Sequence, residues 1–304
     1  MNILVMGGTR FVGKALVNLL LTQGHTLTLF TRGNIAPSSS VEHLKGDRNS
    51  HNDLSVLNGR TFDVIIDSSG RNRLQTELVL SITGNPIHRF LYVSSAGVYD
   101  DSIYFPIEES FTIDQLSRHY GKYETELFLI DNNIPFTSFR PTYIYGPGNY
   151  NPIEKWFFDR ITFDKVIPIP YNGEIITQLG HVSDLAQAMV KTLEYSICLN
   201  KIYNCSSRTS VSIKGLIHLA SKACGKSLSD IKLRPFNASL LDSKSRKLFP
   251  IRLSNFFTDI ELISSHINWE PSISLEDGLL DSFTNDYNLL VNNEPDFSKD
   301  ELLN

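Results

Sequence analysis

The sequence predicts an α/β fold in which a doubly wound parallel sheet is followed by a smaller C-terminal α/β lobe. Short apolar segments alternate with longer helical patterns through the first half of the chain, which is typical of a parallel sheet with helices on both faces. A glycine-rich segment, residues 7–13, separates the first apolar segment from the first helical pattern. At 304 residues, the chain is long enough for one large α/β unit with an appended lobe.

The individual elements follow from apolar runs and from the residues that end them. The predicted strands are 3–6, 27–31, 63–68, 90–94 and 136–140. Helix 11–23 is closed by Gly24, helix 73–83 is closed by Gly84, and helix 115–132 ends before Pro135. Beyond Pro141 the sequence is rich in loops, and helices resume at 183–195, 212–224 and 255–265. We expect a first domain at 1–145, with its sheet completed by segments near 175–205, and a smaller lobe mainly from 146–304.

Composition excludes several classes of protein. Hydrophobic residues make up 41% and charged residues 20% of the chain, which excludes a disordered protein. No apolar run approaches about 18 residues, so no membrane association is expected. Cys198, Cys205 and Cys224 are odd in number and lack metal-ligand spacing, which indicates free thiols and no metal site. No targeting segment precedes the first strand, so we expect a cytoplasmic protein.

Charge is distributed unevenly along the chain. The net charge is −5, but the segment 208–252 contains ten Lys/Arg and only two acids. These cations either form one anion-binding surface or belong to a solvated helical face. Lys244, Arg246 and Lys247 are the densest group and are candidate contacts to RNA or to an anionic substrate.

The segment 7–13 lies where a Rossmann sheet places its phosphate-binding turn. Gly7 permits the tight turn, and Gly13 allows the helix to pack closely on the strand. The following helix N-terminus can hold a pyrophosphate through its free N–H groups. Arg10 stands at the middle glycine of the usual spacing. Thr9, Phe11 and Val12 complete the predicted turn.

Residues near the second strand bear on the choice of cofactor. An acidic side chain in this region hydrogen-bonds the adenosine ribose hydroxyls of NAD, whereas an arginine binds the 2′-phosphate of NADP. Arg32 therefore favours NADP over NAD, and Arg10 could reach the same phosphate. Asp47 either binds the adenine or caps a turn. Ser68, at the end of the strand 63–68, is also expected to contact the cofactor.

Further motifs indicate a family. The sequence resembles the extended short-chain dehydrogenase/reductase superfamily of epimerases and dehydratases. The resemblance rests on the glycine turn, on the segments 94–99, 140–147 and 181–184, and on Trp269-Glu270-Pro271. It implies a catalytic serine, which Ser95 supplies, and a Tyr-x-x-x-Lys helix whose tyrosine transfers a proton while the lysine lowers its pKa and holds the nicotinamide ribose.

The Tyr-x-x-x-Lys pair is broken in either register. If Tyr120 is the tyrosine, Glu124 takes the lysine position. If Lys122 is the lysine, Arg118 takes the tyrosine position, and this register is preferred because Glu126 follows Lys122 as the motif usually continues. A guanidinium does not deprotonate at working pH, so Arg118 cannot act as a general base.

A narrower resemblance accounts for these departures. The segments 7–13, 118–126, 140–149 and 203–207 are similar to the chloroplast stem-loop RNA-binding protein family and its cyanobacterial relatives. This resemblance implies RNA binding, with endonuclease activity and association with ribosomes or transcription machinery as further functions. Tyr143 could stack a base, and His181 is expected to line the cleft.

Three hypotheses remain open on the sequence alone. The first is an RNA-binding protein that keeps a dinucleotide fold. The second is an NAD(P)-dependent sugar-nucleotide epimerase, dehydratase or reductase, and the third is a cofactor-binding regulatory or assembly protein. A homo-oligomer is compatible with each of them.

Overall fold

The computed structural model describes residues 1–37, 40–291 and 293–303. Its strands are β1 (Asn2–Met6), β2 (Thr26–Thr31), β3 (Glu42–Lys45), β4 (Val64–Asp67), β5 (Arg89–Val93), β6 (Phe136–Pro141), β7 (Tyr143–Tyr145), β8 (Ile167–Pro170), β9 (Ile176–Thr177), β10 (Leu179–His181), β11 (Lys201–Cys205), β12 (Val211–Ser212) and β13 (Leu233–Phe236). Its α-helices are α1 (Phe11–Thr22), α2 (His51–Leu54), α3 (Arg73–Thr83), α4 (Tyr120–Asp131), α5 (Ile153–Thr162), α6 (Val182–Lys191), α7 (Ile213–Ala223), α8 (Glu261–Ile267), α9 (Leu275–Ser282) and α10 (Asn288–Leu290).

The central sheet has seven strands in the order β11-β6-β5-β4-β1-β2-β3, and all of its pairings are parallel. The predicted doubly wound Rossmann sheet is therefore confirmed. The chain runs outward in both directions from β1, which lies between β4 and β2. Strand order reverses at this point, where sheets of this type bind ligands beyond the carboxyl ends of their strands.

Helices cover both faces of the sheet. Ile3 and Val5 of β1 pack with apolar residues of α1, α6 and α8, whereas Leu4 and Met6 pack on the other face with residues of α2, α3 and α4. The alternation follows from the two-residue period of a strand. Because both faces are buried, the inner strands β1, β4 and β5 are runs of mainly apolar residues and were recognisable in the sequence.

A smaller lobe has its own apolar core. This core joins residues of α5, α7 and α9 with residues of β8 and β13, which pair in parallel. Tyr145 at the end of β7 and Leu303 near the C-terminus are both buried in it. The lobe is therefore assembled from several separate segments of the C-terminal half.

Some predicted elements were wrong in extent. The helix expected at 115–132 begins only at Tyr120, because the preceding residues form turns. The helix expected at 255–265 begins at Glu261, because Asn255 and Phe256 hold the chain against β9 in an extended conformation. No helix among the described residues is long and apolar enough to cross a membrane.

Candidate dinucleotide site

A cavity of about 630 Å³ lies at the carboxyl ends of the central strands. Its walls are residues 6–13, 30–35, 46–49 and 68–71, together with Gln75, Lys122 and Tyr150. The lining includes all ten residues that the sequence analysis assigned to the cofactor: Gly7, Thr9, Arg10, Phe11, Val12, Gly13, Arg32, Asp47, Ser68 and Lys122. Residues far apart in the chain therefore meet around one cavity of suitable size for a dinucleotide.

The glycine turn is shaped by close backbone approach. Gly7 has φ +107°, and a Cβ there would lie 2.7 Å from Ser68 Oγ. A Cβ on Gly13 would lie 2.6 Å from the backbone nitrogen of Gly8, so only glycine fits. Arg10 precedes α1 and makes no side-chain cap, which leaves the first-turn N–H groups of α1 available to an anion. The turn therefore fits a pyrophosphate.

Two arginines at this cavity are exposed to solvent. Among the described residues, neither the Arg10 nor the Arg32 side chain has a hydrogen-bond or ion-pair partner. Asp47 is also exposed, and its Oδ1 accepts hydrogen bonds from the backbone nitrogen and the side-chain Nδ2 of Asn49, at 2.8 and 2.7 Å. These bonds lower the pKa of Asp47, as does the nearby Arg32 charge. The positive charges are thus free to meet a ligand, while Asp47 holds its own turn.

A buried ion pair that the sequence analysis missed holds Arg48 in the wall of the cavity. Arg48 donates to both carboxylate oxygens of Asp67, each at 2.7 Å. Asp67 also accepts from the backbone nitrogens of Ser69 and Gly70. Burial opposes ionisation, but the Arg48 guanidinium nevertheless holds the pKa of Asp67 below its ordinary value. The carboxylate at the end of an apolar strand was the available signal, but its partner is 19 residues away.

Tyr150 is a second cavity residue that the sequence analysis missed. Its side chain is 68% exposed, and its ring lies edge-on to Phe11, with the ring centroids 6.5 Å apart. It follows the Tyr-Gly-Pro-Gly segment by two residues. Tyr150 therefore places an aromatic ring over the start of α1.

Lys122 lines the cavity next to the end of β5. Its Nζ donates to the backbone oxygen of Val93 at the end of β5 and lies 5.4 Å from the centre of the Tyr92 ring. Burial lowers the pKa of Lys122 to about 8. Glu124 is exposed and is absent from the lining. The structure therefore favours the register in which Lys122 is the motif lysine.

In this register, Arg118 takes the place of the tyrosine. Arg118 lies before the first residue of α4 and is exposed, and its Nε donates to His119 Nε2 over 3.0 Å. Ser95 accepts a hydrogen bond from the backbone nitrogen of Gly97 and caps a short 3₁₀ turn. Neither Ser95 nor Arg118 lines the dinucleotide cavity. The serine is present, but no tyrosine hydroxyl accompanies it in this register.

The predicted substrate or RNA residues are found on the paired strands β7 and β10 and on a surface turn. The Tyr143 hydroxyl accepts from the backbone nitrogen of Arg252 at 2.8 Å. His181 is only 3% exposed and packs edge-on against Tyr145. Neither residue lines the dinucleotide cavity. Lys244, Arg246 and Lys247 are exposed on one turn, whose first residues are held by the Asp242 carboxylate.

Several cations of the segment 208–252 form ion pairs with acids outside it. The ion pairs are Arg208 with Glu261 and Glu270, Lys222 with Glu276, Lys226 with Asp164, and Arg252 with Asp101. Among the described residues, the side chains of Lys244 and Lys247 have no partner. The turn with Lys244, Arg246 and Lys247 is therefore the part of the segment with the least compensated charge. Within the described ranges, no three His, Cys, Asp or Glu side chains are arranged to hold a metal ion.

The fold and the glycine-lined cavity together define a dinucleotide-binding protein of the Rossmann class. Residues 3–206 match the NAD dependent epimerase/dehydratase family, and the chain belongs to that family. It is 38% identical, over 99% of its length and 84% of the relative's, to the chloroplast stem-loop binding protein of 41 kDa b of Arabidopsis thaliana. Both resemblances found in the sequence are thereby confirmed.

Solved structures show the same fold at lower identity. UDP-glucuronic acid 4-epimerase from Bacillus cereus, in complex with UDP-glucuronic acid and NAD, is 20% identical with a TM-score of 0.77, covering 95% of this chain and 100% of that one. UDP-glucose 4-epimerase from Thermotoga maritima is 18% identical with a TM-score of 0.76, covering 93% and 97%.

Proposed function

We propose that this protein binds NADP(H) in the cavity, lacks epimerase and dehydratase activity, and binds RNA. The observation that carries the proposal concerns the Tyr-x-x-x-Lys motif. Its lysine, Lys122, lines the dinucleotide cavity, whereas Arg118 occupies the tyrosine position four residues earlier in the sequence. A bound nicotinamide dinucleotide supplies hydride transfer. Epimerases and dehydratases also need a group that gives and takes a proton, and a guanidinium cannot do so.

The preference for NADP rests on the two unpartnered arginines. A guanidinium offers paired donors to a phosphate, and Arg32 and Arg10 are both exposed at the cavity. Calorimetric titration should show tighter binding of NADP⁺ than of NAD⁺ to the wild type. Arg32→Asp should reverse the order, while Arg73→Asp, which changes an exposed arginine outside the lining, should leave it unchanged. If the wild type prefers NAD⁺, or if Arg32→Asp keeps its preference, this assignment is wrong.

The absence of turnover is tested separately. Loss of general acid–base assistance costs about 10²–10⁴-fold in rate. We therefore expect no substantial conversion of UDP-glucose, UDP-glucuronic acid or dTDP-glucose with either cofactor. Robust turnover would support the alternative, an active sugar-nucleotide enzyme, and would make Tyr120 the first residue to test as its acid–base group.

RNA binding is proposed from the name of the Arabidopsis relative and from the uncompensated cations of one turn. Lys244, Arg246 and Lys247 stand on an exposed 3₁₀ turn, whereas other cations of the segment are held in ion pairs. Phosphate contacts of this kind are sequence-independent and weaken with salt.

Filter binding with a stem-loop RNA across a salt series tests this assignment. Replacing Lys244, Arg246 and Lys247 by Gln should weaken binding and reduce the log–log salt slope by roughly one unit for each phosphate that is no longer neutralised. The matched control replaces the paired cations Lys222 and Lys226 by Gln and should change binding little. If the wild type does not bind RNA, the proposed RNA function fails. If both variants bind like the wild type, the RNA surface lies elsewhere.

A further inference from the structure

Two arginines from distant parts of the chain contact neighbouring groups, the His119 ring and the Gly97 carbonyl oxygen. Arg118 Nε donates to His119 Nε2 at 3.0 Å, and the His119 ring packs so closely on Gly97 that a Cβ there would lie 2.5 Å from His119 Cδ2. On the same glycine, the carbonyl oxygen accepts from Arg252 Nη2 at 3.4 Å and from Ser117 Oγ at 2.6 Å. Both guanidinium groups therefore lie against one Gly97–His119 unit.

Neighbouring side chains hold Arg252 in place but do not neutralise the positive charges of Arg118 and Arg252. Its guanidinium carbon lies 4.2 Å from the centre of the Phe256 ring, and its backbone nitrogen donates to the Tyr143 hydroxyl. The acid paired with it is Asp101, whose side chain is 82% exposed and whose carboxylate oxygen is 3.6 Å from Arg252 Nη1. Among the described residues, Arg118 has no acidic partner. Two positive charges thus face one weak, solvated countercharge.

His119 adds no negative charge and remains neutral. Burial, together with the charges of Arg118, Lys122 and Arg252, lowers the pKa of His119 to about 4. Its Nε2 therefore accepts the hydrogen bond from Arg118 Nε at neutral pH. This bond orients the guanidinium and leaves both of its terminal nitrogens without a partner among the described residues. Paired terminal nitrogens match two oxygens of a phosphate.

We propose that Arg118 and Arg252 form a binding site for a phosphate group, next to the Gly97–His119 unit. The site is separate from the glycine turn, because none of Gly97, Arg118, His119 and Arg252 lines the dinucleotide cavity. In this proposal, Arg118 replaces a proton-transferring hydroxyl by an anion-binding group. Only the carrier of the phosphate, RNA or a small phosphorylated molecule, rests on the function proposed above.

Nuclear magnetic resonance of the histidine rings tests the site directly. Inorganic phosphate is titrated into the wild type at constant ionic strength, and the His119 ring signal is assigned by its loss in His119→Gln. We expect a saturable shift of this signal. Arg118→Gln and Arg252→Gln should each weaken the phosphate affinity measured there by about ten- to a hundredfold.

Two further variants control for charge and for geometry. Arg60→Gln removes one positive charge from a surface pair with Glu42 and should leave the phosphate affinity at His119 unchanged. Arg118→Lys keeps the charge but not the forked donors, so it should recover the affinity only in part. The proposal is overturned if His119 does not respond to phosphate in the wild type, or if Arg118→Gln responds like Arg60→Gln.

The carrier is identified with short RNAs that carry a 5′-phosphate or a 5′-hydroxyl. If only the 5′-phosphorylated RNA shifts the His119 signal, the site binds a terminal phosphate of RNA. If both RNAs shift it equally, the site binds a phosphate of the RNA backbone. A shift with inorganic phosphate but with neither RNA assigns a small phosphorylated ligand. If filter binding detects RNA while no phosphate probe moves His119, the RNA function stands and this site fails. If inorganic phosphate moves His119 while filter binding detects no RNA, the site stands and the RNA function fails.

Discussion

Lys122 carries its charge in an environment that disfavours it. Its pKa falls from the ordinary 10.5 to about 8, chiefly because the side chain is buried. Below about pH 8, the folded state bears the full cost of the buried ammonium. Between about pH 8 and 10.5, the folded state releases this proton while the unfolded chain keeps it. The unfolded state then binds more protons, so stability contributed at this position rises with pH.

Urea unfolding of wild type and Lys122→Gln at about pH 7 and about pH 10 measures this effect. The free energy of unfolding of the wild type should increase relative to the variant at the higher pH. Comparison with the variant removes the titration of all other groups. A difference that is constant, or that falls with pH, would contradict the depressed pKa of Lys122.

The local residues of the site were predictable, but its tertiary contacts were not. The spacing of Gly7 and Gly13 after an apolar run identifies the turn, because close backbone approach requires glycine at fixed intervals. The Arg48–Asp67 pair joins two loops, and no spacing in the sequence connects them. The contact between Arg252 and Gly97 was unpredictable in the same way, because the two residues are 155 positions apart in the sequence.

At the scale of elements, one buried ion pair attaches α4 to the sheet. Glu126 on α4 and Arg140 on β6 are 2.6 Å apart, with side chains 0% and 2% exposed, and Ser138 donates to the same carboxylate. Removing one partner leaves a buried charge without compensation. Glu126→Gln should therefore lower the free energy of unfolding by about 3–5 kcal/mol, measured by urea denaturation.

The exposed pair Arg73–Glu77 provides the matched control for this ion pair. Its side chains are 54% and 44% exposed, and Glu77→Gln should cost at most about 0.5 kcal/mol. Equal losses of unfolding free energy at the two positions would show that burial does not determine how much the α4–β6 ion pair contributes to stability. Since α4 carries Lys122, dinucleotide binding should weaken in Glu126→Gln as well.

Elements were predictable where burial makes the sequence apolar. β4 and β5 are continuous buried runs, and both appear in the sequence as strands. β3 has the sequence Glu-His-Leu-Lys and lies at the edge of the sheet, so it carries no such signal. α5 was missed because Gly-Pro-Gly precedes it and Pro-Ile-Pro follows it, and its buried face is formed only against the lobe.

For the whole molecule, the C-terminal segment contributes to the core of the dinucleotide-binding sheet. Ile263, Ile267 and Trp269 pack in the same apolar cluster as α1, α6 and β11, although they lie beyond the matched residues 3–206. Asp184 at the start of α6 accepts hydrogen bonds from the backbone nitrogens of Ser272 and Ile273, which holds this segment in place.

Trp269→Ala should accordingly lower the free energy of unfolding by about 3–5 kcal/mol. Trp269 is 6% exposed and is not one of the residues that line the cavity, so the loss reports on packing of the core. Leu289→Ala, at a side chain 70% exposed in the smaller lobe, is the control and should change stability by at most about 0.5 kcal/mol. A small effect at Trp269 would mean that the sheet is stable without its C-terminal packing.

The Arg48–Asp67 pair has a consequence for the conformational entropy that the protein loses on binding a ligand. Because Asp67 already holds the amides of Ser69 and Gly70, the conformational entropy of this loop is lost when the chain folds rather than when a dinucleotide arrives. Hydrogen exchange should find these two amides slow in the ligand-free protein and little changed by NADP⁺. In Arg48→Met they should exchange faster when free and slow markedly on binding, because the ligand then has to order a loop that the wild type presents already formed.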